Sequence, residues 1–190
     1  MSFWQAWRER RALRSGAEAF AASAWAEPDD ADVRWVAEHV TAGDEDHARW
    51  ELRYCRRALA VLAAERDALD DRTGAEVSHA MLDRLHGDRS VAPERLTIAE
   101  RQFNARLGRY REALRERGPR LAERFGAVLA ATAAGSTGSA EGAAPDPRLV
   151  GIADAYWRQA QHELKACFGT ARLPEHVRPS EALREDGRAR

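Results

Sequence analysis

A chain of 190 residues, 44% hydrophobic and 32% charged, is long enough for one globular domain with a tail. Thirty basic against thirty-one acidic side chains leave a net charge of −1, so no basic field points to nucleic acid, and the charges belong on the outer faces of helices. No window reaches the ~18 apolar residues of a membrane span, and two distant cysteines, Cys55 and Cys167, form neither a disulfide framework nor a metal motif, so the cytoplasm is the default location.

No run alternates apolar and polar residues, and β-branched residues are sparse, so the class is all-α. The first helix covers Phe3 to about Trp25, and the N-terminal MSFWQAWRERRALRSG lacks the apolar stretch of a secretion signal. EPDD at 27–30 ends this helix: Pro28 cannot continue the hydrogen-bond ladder, and Asp29 or Asp30 caps the second helix. That short helix runs to about Thr41, with Gly43 as its stop, and Asp44 caps the third. Nothing after Asp44 forces an end before Gly87, which predicts one helix over about 45–86. Its seam recurs every seven positions: Leu52, Cys55, Leu59, Leu62, Arg66, Leu69, Thr73.

GDRSVAP at 87–93 is a turn, followed by a capping box at Thr97–Glu100 or an earlier start at Pro93. The seam of the next helix, about 94–133, is Phe103, Leu107, Tyr110, Leu114, Leu121, Phe125, Val128 and Thr132. Its apolar phase is the same on both sides of Pro119, which favours a kinked continuous helix over two helices. The small and polar residues of 133–147 form a flexible linker. Asp146 and Pro147 open a last helix, about 148–168, ended by Gly169. The chain thus divides into a helical domain, 1–168, and a charged tail, 169–190, expected to be extended or disordered.

Folding the two long helices about the turn near residue 90 brings seam positions together when their numbers sum to about 180. Leu52 then meets Val128, Cys55 meets Phe125, Leu59 meets Leu121, and Arg66 meets Leu114. Ten acids against seven arginines over 44–86 face nine arginines against five acids over 94–133, a complement that favours this pairing. The expected architecture is a long antiparallel coiled-coil-like hairpin with the shorter helices packed at its open end.

No set of residues converges on a reaction. Cys55 reads as a small buried hydrophobe, and Arg66 as a seam arginine whose head reaches Asp70, Glu112 or Glu116, or else an anionic partner. Asp44, His47 and Glu51 share one side of a helix start, but a helical-bundle metal site needs further inward carboxylates that this chain does not repeat. Phe3, Trp4 and Trp7 form an aromatic cluster interleaved with Arg10 and Arg14, so its apolar face is not clean enough for a membrane surface and suits packing within a protein or against one. Four of the six tryptophans lie in the first 50 residues. The resulting expectation is a non-enzymatic helical interaction protein, an adaptor, scaffold or assembly subunit. It needs no metal or cofactor, and its partner is a protein, itself or another chain, met through Phe3, Trp4, Trp7 and Arg66. The alternative is a helical bundle that holds a metal or organic cofactor at its Trp- and His-rich end.

Overall fold

Chain punctuation sets the element order. The computed structural model describes residues 3–68, 71–116, 120–135 and 144–169. Within them lie α1 (Phe3–Ala24), α2 (Asp30–His39), α3 (Glu45–Asp67), α4 (Asp71–His86), a 3-10 turn (Pro93–Arg95), α5 (Leu96–Arg115), α6 (Leu121–Ala133) and α7 (Pro147–Phe168). The described residues include no strand.

Several helix ends fall where local chemistry puts them. Asp29 accepts a hydrogen bond from the Ala31 amide at 2.7 Å, Asp44 from His47 at 2.9 Å, and Asp146 from Arg148 at 2.7 Å. Each carboxylate satisfies a first-turn amide that has no partner inside its helix. Between α2 and α3, Gly43 takes φ +90°, and its amide reaches back to the Ala37 carbonyl at 2.7 Å. Gly169 ends α7 at φ +79°. The capping box at Thr97–Glu100 is not used: helical backbone begins at Pro93, and α5 has no side-chain cap.

The two long helices of the expected hairpin are each divided. α3 stops at Asp67, and Ala68 is extended with ψ 146°. α4 then folds back along α3: a Cβ on Gly74 would lie 4.0 Å from the Ala64 carbonyl oxygen, and Arg57 reaches Asp88 just beyond the far end of α4. The break lets Asp67 accept Gln161 Nε2 of α7 at 2.9 Å and pair with Arg66. α5 likewise ends at Arg115, Glu116 is extended with ψ 146°, and α6 returns over α5, where Arg124 Nε donates to the Ala113 carbonyl at 2.7 Å. The sequence around Pro119 therefore breaks the helix rather than kinking it. Leu69, Asp70, Gly118, Pro119, residues 136–143 of the linker and the tail from 170 lie outside the described residues.

These reversals change the packing partners. Tyr54 meets Gln102 and Phe103, Glu51 meets Arg106, and Glu65 pairs with Arg111, so α3 crosses α5 over residues 102–111. Tyr54 with Gln102 and Glu51 with Arg106 fall outside the register summing to about 180. α3 becomes the central helix: every residue from Arg57 to Ala64 is buried. α7 is not an accessory at an open end. It packs along α3 and α6, with Leu149, Ile152, Trp157 and Leu164 in the core. α6 and α7 approach so closely that a Cβ on Gly126 would lie 2.9 Å from the Val150 Cα. The core draws on all seven helices, among them Phe20, Val36, Leu59, Val77, Tyr110, Phe125 and Trp157.

Candidate interaction surface

α1 has two different halves. From Ala17 onward it turns Ala17, Phe20, Ala21 and Ala24 into the core. From Trp4 to Ser15 no residue is buried. Trp4 is 67% exposed and Trp7 41%, their rings edge-on with centroids 6.3 Å apart. Arg11 stands over the Trp7 ring at 5.4 Å. At about 100° per residue, Trp4, Trp7, Arg8, Arg10, Arg11 and Arg14 share one broad face of this arm, with Gln5, Ala6, Glu9 and Leu13 opposite. The Phe3 side chain lies outside the described residues. The structure thus leaves Trp4 and Trp7 together at the surface, while Trp25, Trp35 and Trp50 are half-buried and Trp157 is buried.

Where α1 enters the body, a cleft of about 710 Å³ opens between α1 and α4. Ala17, Ala80 and Trp25 give it apolar walls, and its charged lining is mixed, with Glu76, Asp83 and Asp88 beside Arg14, Arg84 and Arg89. Its inner end is fixed by a buried ion pair. Arg57, 3% exposed, donates to Asp88 Oδ2 at 3.1 Å, and the same oxygen accepts the Trp25 indole N–H at 3.2 Å. The guanidinium lies between two indoles, 4.2 Å from the Trp25 centroid and 6.0 Å from that of Trp50. Its Nε and Nη1 have no hydrogen-bond partner among the described residues, so the ring faces and one carboxylate compensate the charge. Burial lowers the Arg57 pKa, opposed by Asp88, but an arginine remains a cation. Burial also pushes Asp88 upward, yet the Ser90 hydroxyl and amide, Arg57 and Trp25 outweigh it, and the carboxyl sits below the usual range.

The arrangement of arginine, indole and carboxylate recurs. Arg53 lies 4.7 Å over Trp50 and pairs with Glu27 at 2.8 Å. Arg66 lies 4.6 Å over Trp157 and pairs with its neighbour Asp67 at 2.7 Å. Arg66 is therefore an exposed side chain laid on α7, not a charge in an apolar seam against Leu114; among the described residues its carboxylate is Asp67 rather than Glu112 or Glu116, and Asp70 lies outside them. Trp4 and Trp7 stand on the α1 arm, and Arg66 stands at the end of α3 on the Trp157 ring.

The remaining candidates are occupied by structure. Cys55 is fully buried, and burial pushes its thiol up to about 12, which the adjacent Tyr110 hydroxyl only partly offsets; such a thiol is unreactive. Asp44 is engaged as a cap, and both oxygens of buried Glu51 accept from Arg106, one at 3.2 Å from Nε and the other from Nη2. No three His, Cys, Asp or Glu side chains converge in a metal-holding arrangement among the described residues. Nor is any helix among them long and apolar enough to cross a membrane. Sequence reasoning missed the Trp25–Asp88–Arg57 cluster because its members lie 63 and 31 residues apart. The local signal was half visible: Asp88 in GDRS accepts both the Ser90 amide at 3.0 Å and its hydroxyl at 2.6 Å, a turn that leaves the second carboxylate oxygen for Arg57 and Trp25.

No family model, no curated protein and no solved structure matches this chain.

Proposed function

We propose that this chain is a non-enzymatic helical interaction protein, cytoplasmic, which works by binding a protein partner through the N-terminal arm of α1. The observation that carries this reading is the arm itself: helical from Trp4 to Ser15 with no buried residue and two exposed indoles. The arm continues the packed half of α1 while burying none of its own side chains, which leaves its outer face for a partner. Tryptophan and arginine are also the residues that anchor protein interfaces most strongly. The unbridged cysteines suit a reducing compartment.

The test is capture from native extract with the full chain and with Trp4→Ser/Trp7→Ser. Retention of one stoichiometric protein by the wild type, lost in the variant at unchanged helicity, is the expected result. Equal retention by both sinks the arm as the contact. A second reading, an organic ligand in the α1–α4 cleft, is favoured by its Trp25 wall and its volume of about 710 Å³. A stoichiometric chromophore or metal in the purified protein would select it instead.

A further inference from the structure

We propose that the α1 arm is met by an acidic segment of another protein, whose carboxylates complete the Arg11–Trp7 pair and neutralise Arg8 and whose apolar side chains cover the indoles. This rests on the arm being a contact surface and adds the chemistry of what it contacts.

The body of the molecule shows how an arginine on an indole is completed. Arg57 stands on Trp25 at 4.2 Å and holds Asp88 at 3.1 Å. Arg53 stands on Trp50 at 4.7 Å and holds Glu27 at 2.8 Å. Arg66 stands on Trp157 at 4.6 Å and holds Asp67 at 2.7 Å. The ring takes the flat face of the guanidinium and leaves the N–H groups at its edge, where a carboxylate accepts them. Arg11 on Trp7, at 5.4 Å, is the one such arginine with no ion pair among the described residues.

Covering the arm makes that absence costly. Trp7 is 41% exposed, and a surface that buries its ring also takes water from the guanidinium on it. The cation–π contact strengthens on desolvation, but a desolvated cation with no anion is penalised by more. The covering surface must therefore bring an anion to Arg11. The rest of the arm calls for the same sign. Residues 4–15 hold four arginines against one glutamate, and among the described residues Arg14 alone of the four has a carboxylate partner, Glu18.

The anion belongs to a protein rather than to a nucleic acid or a bilayer. In the three completed pairs it is a carboxylate. A phosphate polymer or an anionic bilayer would extend past the arm into the adjoining cleft, where the charge turns mixed: Glu18, Glu76 and Asp83 stand there with Arg84 and Arg89. A protein segment can end its acids where the basic stretch ends. The two indoles call for apolar side chains beside those acids, since such rings anchor an interface by being covered.

A random peptide library displayed on phage, panned against the full chain and counter-selected on Trp4→Ser/Trp7→Ser, tests it. The expected peptides combine Asp or Glu with apolar side chains. For one such peptide made synthetically, Arg11→Lys should raise the dissociation constant about 10-fold and Arg11→Glu about 100-fold, at unchanged helicity. Arg11 is exposed, so neither change disturbs the core. Arm-dependent peptides that are neutral or basic overturn the acidic partner and leave the arm as a contact. Tighter binding to oligothymidylate or to phosphatidylserine vesicles than to the selected peptide overturns it too, as does an affinity that Arg11→Glu leaves unchanged. A library that yields no peptide dependent on Trp4 and Trp7 overturns it and counts against the arm itself.

Discussion

Two stretches of helix stand at opposite extremes of burial. In α3, Arg57 to Ala64 are buried on every side; in α1, Trp4 to Ser15 are buried on none. The composition of each carries the reason. ALAVLAA at 58–64 has no polar face, so helices must cover it all round, and α4, α5, α6 and α7 do. The α1 arm mixes arginine and tryptophan on one face, and only Ala6 and Leu13, both half-buried, continue the stripe of Ala17, Phe20 and Ala24. A helix in the first situation is held by burial, and one in the second waits for a surface to be held by.

The contrast is most vulnerable at Asp88, where the α3 core meets charge. Asp88→Asn leaves Arg57 buried with no anion, and the expected loss is about 3–5 kcal/mol by urea denaturation. The acid dependence has the same origin. The Asp88 carboxyl is depressed in the folded chain, so its contribution is present above the ordinary unfolded value, ~3.9, and is lost as pH falls through that value toward the folded one. Asp88→Asn should flatten the stability curve in that acid window. An unchanged curve would mean that Arg57 is compensated by its indoles alone.

Next in size is Leu59→Ala in the middle of α3, where the side chain is fully buried. It should lose about 2–5 kcal/mol from transfer energy and a cavity. Gly126→Ala probes the same core from its outer side. A Cβ at 2.9 Å from the Val150 Cα must push α7 away from α6, which should cost about 1–3 kcal/mol as a lowered denaturation midpoint. A neutral Gly126→Ala would mean that α7 slides freely on α6.

The ALAVLAA run shows how legibility divided. Apolar residues do recur at heptad spacing in the sequence, but any two amphipathic helices offer some antiparallel register, so agreement of many pairs was weak proof of a hairpin. A two-helix hairpin covers one side of a helix, and seven consecutive apolar residues demand cover on all sides. That run was the signal against the hairpin. The breaks at Ala68 and Glu116 were harder to see. No breaker stands before Ala68, and the turn there is secured by tertiary partners, Asp67 with Gln161 of α7. Caps were legible because a carboxylate and an amide two or three residues apart settle them, as at Asp29, Asp44 and Asp146. The aromatic arm was visible as a cluster at Trp4 and Trp7, but its exposure depends on where the body ends, which no local pattern encodes.

Arg66 shows the cost of misplacing one residue in such a pattern. On the surface, stacked on Trp157 and paired with Asp67, it is worth the small sum of an exposed cation–π contact and an exposed ion pair. Arg66→Leu keeps a side chain over Trp157, and the expected change in stability is under about 1 kcal/mol in either direction.

The smallest expected effect is the most informative about the arm. Trp7→Ala removes a ring that is 41% exposed and whose aromatic and cation contacts, Trp4 and Arg11, belong to its own helix. Neither neighbour belongs to the core, so no cavity forms and no buried group loses a partner. The stability change should stay within about 0.5 kcal/mol, the range of a surface substitution. The arm should also exchange its amide hydrogens early, while Leu59 and Leu62 in α3 exchange only on global unfolding. Loss of several kcal/mol on Trp7→Ala would mean that the indole is packed against the body. The two halves of α1 would then be one buried helix, and the arm would have no face to offer a partner.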